Sequence, residues 1–343
     1  MPVRSGLAES DIRAALDCLA GGWLTMGPRI AALEERFASA FGVEHAVAVS
    51  SGTAALHLAC LAAGAGPGKS VVVPALAGHE AVVAPRLAGA VALRADVVDA
   101  TAPSLDPEAA ADGATVAVIC SHLCGMPAEA AAVAAVCAAR RWTLIEDVTA
   151  GLGARLATGR MAGTAGALGC FSLAPGGAIG VGEGGIVITD DEQLAGRVRS
   201  LRSHAMTSVT WDRHRGHADS YDIVDIGFNY RLDEPRAAIA TSQLARLDER
   251  VGELRRRLRE IRAAAGAPVL WDEDVVARSA PAVAPLLIAE ATLPDALRLA
   301  ARQWTDAFAG VRGARPAPVA DAVRRDTRLV GLDAAGAAVS PPG

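Results

Sequence analysis

Between residues 45 and 203, short apolar runs alternate with helical stretches, and that alternation restricts the chain to few architectures. His45–Ser50 (HAVAVS), Ser70–Ala75 (SVVVPA), Thr115–Ser121 (TVAVICS) and Trp142–Asp147 (WTLIED) are brief runs rich in Val, Ile and Leu, as buried strands require. Ser51–Gly64, Gly78–Gly89 and the alanine-rich Ala128–Arg140 read as helices between them. Strand–helix alternation of this kind builds a mainly parallel sheet covered by helices, an α/β domain. From Gly166 the pattern becomes strand, glycine-rich turn, strand: GALGCFSL, APGGAIGVGEGG, then IVITDD. A helix follows over Asp191–Ser203.

Outside this block the sequence reads more simply. Residues 11–40 carry Ala, Leu and Phe at helical spacing and predict helix. Residues 204–232 read as a long loop rich in His, Arg, Trp and Tyr, including His204, Trp211, His214, Arg215, His217 and Tyr221. Loops of that length in a compact domain tend to carry function. A long helix is predicted over 233–265, ending at Gly266, with Glu–Arg pairs on a solvated face. The expected division is a large domain over 1–235 and a small one over 236–343. The small domain has a predicted strand (Ala282–Ala289), a predicted helix (Leu293–Trp304) and an Ala/Pro/Gly-rich tail.

Composition removes several function classes. No apolar run is long enough to span a membrane, and MPVRSGLAES lacks a signal-peptide core. A net charge of −5 argues against a nucleic-acid partner. The six cysteines lie mostly in apolar stretches and fit a reducing cytoplasm. Cys120, His122 and Cys124 alternate as one face of a strand would, but no second ligand pair at zinc spacing follows, so no metal is expected.

The motifs carry a more specific message. GGWLTMGP (Gly21–Pro28), SSGTAALHLA (Ser50–Ala59), VVVPAL (Val71–Leu76), HLCGMPA (His122–Ala128), IEDVTAGLGA (Ile145–Ala154), CFSL with GEGGIVITDD (Cys170–Asp191), and LRSHAMT with GFNYRLDEPRAAI occur in that order. Together, over roughly residues 20–250, the chain resembles the DegT family of pyridoxal-phosphate (PLP)-dependent sugar aminotransferases. The resemblance implies the aspartate-aminotransferase-like fold type I: a large domain on a mainly parallel seven-stranded sheet and a small C-terminal α+β domain. It assigns Gly52 and Thr53, at a helix start, to the cofactor phosphate, as the free N–H groups there favour. It assigns Ser172 to the same phosphate and Asp147 to the pyridine nitrogen, where a carboxylate keeps the ring an electron sink. Asn229 matches a residue that reaches the neighbouring subunit's phosphate, which implies a homodimer.

The same resemblance exposes a gap. The family's lysine lies five residues before the first glycine of GEGG, and here that position is Gly177. The chain has one lysine, Lys69, just before the strand Ser70–Ala75. Five strand residues place it roughly 16 Å from the carboxyl ends where ligands sit. A positioned acid–base group contributes ~10²–10⁴-fold, before its covalent tether is counted. Gly78 stands where the family has a ring-stacking aromatic, and Ala150 where it has Gln or His. The family's small-domain His–Tyr segment has no clear match.

Three functions follow as expectations. The first is a repurposed scaffold, either a PLP-independent biosynthetic enzyme or a non-catalytic subunit, as a homodimer or paired with an intact paralogue. The second is a lysine-free enzyme using pyridoxamine phosphate (PMP) non-covalently, like the family's deoxysugar 3-dehydratases, with His79 or His204 as candidate base. His79 equally fits a surface helix residue. The third is an ordinary sugar aminotransferase, which one distant lysine does not support. The resemblance implies a nucleotide-linked keto sugar or an aminocyclitol as substrate.

Overall fold

A computed structural model of the protein describes residues 6–97, 105–207, 220–266, 271–287, 301–303, 321 and 327–331. Seven strands form the main sheet: β1 (His45–Val49), β2 (Ser70–Pro74), β3 (Val91–Ala95), β4 (Thr115–Ser121), β5 (Thr143–Asp147), β6 (Leu168–Ser172) and β7 (Gly185–Thr189). Their spatial order is β1-β7-β6-β5-β4-β2-β3. Neighbours from β3 to β6 pair in parallel, whereas β7 is antiparallel to both β6 and β1. The sheet is therefore mainly parallel, as the alternation predicts.

Helices cover both faces. Alternate strand residues divide between two cores, with Val71 and Val73 on one side and Val72 on the other. One core takes α3 (Gly52–Ala62), α4 (His79–Leu87) and α6 (Glu192–Arg202). The other takes α2 (Pro28–Phe41), α5 (Ala130–Arg140), α7 (Glu234–Leu244) and α8 (Leu247–Ala265). Phe37 stacks on Phe41 at 4.3 Å between centroids, and both meet Phe171 of β6 edge-on. Each such pair adds about 0.5–1.5 kcal/mol beyond its buried area.

Four expectations need correction. Residues 11–40 are two helices, α1 (Glu9–Gly21) and α2, because Gly22 turns left-handed at φ 75° and Pro28 starts a new helix. The buried Glu234 carboxylate holds that second start, accepting from the N–H groups of Gly27, Arg29 and Ile30. The helix expected over 233–265 breaks at Ala245–Arg246 into α7 and α8. There Arg246 pairs with the buried Asp11 of α1 at 2.7 Å, and Asp248 and Glu249 suit the new N-terminus. Strand β3 lies where no strand is predicted; its alanines and Arg94 mask a β pattern that pairing with β2 overrides.

In the C-terminal segment, β8 (Val283–Leu287), β9 (Ala301–Gln303) and β10 (Thr327–Gly331) form an antiparallel sheet in the order β8-β10-β9, preceded by α9 (Glu273–Arg278). Residues 301–303 are strand where helix 293–304 is expected, because they pair with β10; the earlier part of that expected helix lies outside the described residues. Among the described residues, no helix is long and apolar enough to cross a membrane.

Candidate active site

The carboxyl ends of the parallel strands meet the start of α3, where open α/β sheets bind ligands. Ser51 caps α3 by accepting from the Ala54 N–H at 3.0 Å. The N–H groups of Gly52 and Thr53 precede the intrahelical ladder and, with the helix dipole, favour an anion. A Cβ at Gly52 would come within 2.9 Å of Ser172 Cβ and 3.0 Å of Thr149 Cγ2. Glycine there lets the helix end press against β6 and the β5 loop. Gly52, with Thr53 next to it in the first turn of α3, is thus brought against Ser172.

Asp147 ends β5 and is 4% exposed. Its Oδ2 accepts from Ser121 Oγ at 2.9 Å. Its Oδ1 accepts from the Thr149 N–H at 3.1 Å and Thr149 Oγ1 at 2.6 Å. Burial, and secondly the Glu80 carboxylate, push its pKa up. Glu80 belongs to the first turn of α4, and its Oε1 lies 3.2 Å from Thr149 Oγ1. The Glu80 carboxylate also fills the space that a Cβ at Gly78 would enter, where the family's stacking aromatic is expected. Glu80 and Thr149 escape sequence reading. The available signal is a carboxylate placed just after the wholly apolar turn PALAG.

Gly177 lies in the turn between β6 and β7. A Cβ there would meet only Ile179 O, at 4.0 Å. The turn itself is fixed: Gly180 N–H donates to Gln243 Oε1 at 2.8 Å, and Arg250 Nε donates to Ala178 O. Lys69 is exposed beside the amino end of β2, so the structure leaves it remote from this site.

The histidine candidates separate. His79 stands at the start of α4, 84% exposed, with Nδ1 3.2 Å from Glu80 Oε2. His204 has φ 62° and donates its N–H to Phe228 O at 3.0 Å; its hydrogen bonding joins it to the 223–229 segment and not to Asp147. Asn229 is exposed and forms a backbone bridge with Ser203. His57 is buried, with Nδ1 3.2 Å from Tyr230 Oη and its pKa lowered by burial; it packs on Phe228 and has a structural role. Trp211, His214, Arg215 and His217 lie outside the described residues.

His122 does not join Cys120 and Cys124 as a ligand set. Its Nε2–H donates to Glu146 Oε2 at 2.9 Å, while Nδ1 accepts from Ala128 N–H. Glu146 also accepts from the N–H groups of Gly163, Ala165 and Gly166. Burial alone would raise its pKa, but the His122 contact and these N–H groups bring it below the usual range. Among the described residues no three His, Cys, Asp or Glu side chains are grouped to hold a metal.

The phosphate and ring-nitrogen ends of a pyridoxal-type cofactor therefore find suitable partners: the α3 start, Ser172 and Asp147. Among the described residues, position 177 presents a glycine to this site, and Lys69 lies at the opposite end of β2.

Comparison with known proteins follows the same lines. The sequence profile of the DegT/DnrJ/EryC1/StrS aminotransferase family matches residues 6–265. Solved structures with the same fold include the aminotransferase TlmJ from Streptoalloteichus hindustanus, at 23% identity and TM-score 0.84, covering 98% of this chain and 97% of that one. DesV of S. venezuelae is 26% identical with TM-score 0.79 over 100% of both chains. A mutant of GDP-4-keto-6-deoxymannose-3-dehydratase (ColD) with bound GDP-perosamine is 22% identical with TM-score 0.82, covering 96% and 95%.

Proposed function

Because the chain belongs to the DegT/DnrJ/EryC1/StrS aminotransferase family, we propose that it is a member working without a lysine-tethered cofactor. Its role is that of a repurposed biosynthetic enzyme or a non-catalytic subunit in sugar or specialised-metabolite synthesis. The observation that carries this reading is position 177: a glycine with open space, in a chain whose single lysine is exposed at the far end of β2. The test is spectroscopic. Purified protein mixed with PLP should show no visible imine band and retain no cofactor after borohydride reduction and denaturation. A band that borohydride fixes covalently would overturn the proposal.

One set of contacts favours a second reading, a PMP-dependent, lysine-free dehydratase-like enzyme related in chemistry to ColD. Asp147 keeps Ser121 and Thr149 as donors, and Gly52 still brings α3 against Ser172. In this reading Gly52, Thr53 and Ser172 hold the phosphate non-covalently, and Asp147 faces the ring nitrogen. When bound, the cofactor supplies an electron sink. The residues of this chain orient it and hold a proton at Asp147. Calorimetry with PMP separates the readings, since heat saturating at one site per chain is expected only for the second.

We further propose a cytoplasmic assembly of two chains. Ile12, Leu16 and Leu19 form an exposed apolar stripe on α1, at 48%, 59% and 52% exposure. Exposed apolar patches of this kind mark interfaces. Exposed Asn229 is available to a neighbouring subunit's site, either a second copy or an intact paralogue.

A further inference from the structure

Thr149 Oγ1 touches two carboxylates, Asp147 Oδ1 at 2.6 Å and Glu80 Oε1 at 3.2 Å. A hydroxyl has one proton to donate. Both contacts are hydrogen bonds at once when the two carboxyls share one proton. With the proton on Glu80, Thr149 accepts from Glu80 and donates to Asp147; with it on Asp147, both directions reverse. On its other side, Glu80 Oε2 lies 3.2 Å from Nδ1 of the exposed His79. A continuous line of polar atoms thus runs from solvent to a carboxylate that is 4% exposed.

We propose that Glu80 is a proton-transfer residue of this site, passing protons between His79 at the surface and Asp147 inside, through Thr149. The step balances without a further reactant. The Glu80 carboxyl gives its proton to Thr149 Oγ1 as the Thr149 proton moves to Asp147 Oδ1. The resulting Glu80 carboxylate is then reprotonated by the His79 imidazolium. The ligand class that would use such a line is one whose proton content changes on binding, such as a heteroaromatic nitrogen base or a primary amine.

The surroundings leave Glu80 as the carboxyl with which Asp147 shares a proton. Ser121 of β4 and Thr149 donate to it, and the flanking Cys120 and Cys170 thiols are pushed well up by burial and so stay neutral. The adjacent Glu146 is engaged with His122. Two close carboxylates share one proton more readily than they both ionise.

The inference rests on reading this cluster as the reactive end of the site, but its test does not require a cofactor to bind. The side-chain carboxyl of Asp147, labelled with carbon-13, is titrated by NMR in the whole protein. Glu80→Gln keeps the contact to Thr149 and removes the ionisation; Thr149→Val removes the hydroxyl and Thr149→Ser keeps it. The expected result is an Asp147 midpoint that falls by about one pH unit or more in Glu80→Gln. Thr149→Val should shift the midpoint too, and Thr149→Ser should restore it. His79→Ala should leave the midpoint in place and slow proton exchange about tenfold. Identical Asp147 titrations in all variants would overturn the proposal, as would an exchange rate indifferent to His79. Failure to bind PMP would count against the cofactor reading alone, because the titration is read without it.

Discussion

Gly177→Lys isolates the cause of the proposed loss of tethering. A Cβ at 177 meets nothing closer than Ile179 O at 4.0 Å, and the residue lies outside the left-handed region. Adding a side chain there creates no overlap, and losing glycine stiffens the unfolded chain by about 0.4–1 kcal/mol in the protein's favour. The net stability change should therefore stay within about 1 kcal/mol. Its neighbour provides a control. Gly176 has φ 108°, so Gly176→Lys forces a β-carbon into disfavoured backbone and should cost about 1–3 kcal/mol. Urea denaturation compares the two. Incubation with PLP, borohydride reduction and peptide mass mapping then ask whether the new amine captures the aldehyde. Equal destabilisation by both substitutions would refute the claim of room at 177. A stable Gly177→Lys protein that yields no reduced adduct would refute the assignment of that position as the lysine site.

Other outcomes follow from the packing. Glu234→Ala strands the buried N–H groups of Gly27 and Ile30; at about 1–3 kcal/mol each it should cost about 2–6 kcal/mol in denaturation experiments. Glu234→Gln retains an acceptor oxygen and should cost clearly less. Glu146 has a depressed folded pKa, so its stabilisation is present above its unfolded value near about 4.3 and is lost as pH falls through the folded one. Glu146→Gln should cost about 3–5 kcal/mol at neutral pH, with the gap to the unaltered protein narrowing in urea titrations below about pH 4. Leu16→Glu puts a charge in the α1 stripe and should convert a dimer to monomer in light scattering, leaving the far-ultraviolet dichroism unchanged.

The large sheet is legible in sequence because its parallel strands are buried on both faces and read as unbroken apolar runs, Val71–Val73 and Val116–Cys120 among them. Strand β3 is hidden, because Arg94 interrupts it and only pairing with β2 defines it. Helix ends set by tertiary contacts are hidden too. The α7–α8 break rests on the Arg246–Asp11 pair, whose members are 235 residues apart. Asp147, Ser172 and Gly52 are named as candidates through the family resemblance, and each sits at a strand or helix end. Glu80 is not legible, because its meaning comes from Thr149, 69 residues away, and from the space left at Gly78.

Asp11 has a wider reach than its place on the first helix suggests. Its carboxylate contacts Arg246 at the α7–α8 break and Gln243 Nε2 at 3.4 Å, and the same Gln243 side chain holds both the N–H and the carbonyl of Gly180. The helix bearing the exposed Ile12–Leu16–Leu19 stripe is therefore joined by two side chains to the turn bearing Gly177. Any partner that repositions α1 would alter that turn, and any ligand that reshapes the turn would alter affinity for the partner by the same factor, since such coupling is reciprocal. For the two-chain assembly proposed above, subunit association and site occupancy would form a single thermodynamic cycle, and measuring either one with the other held fixed would give the size of the link.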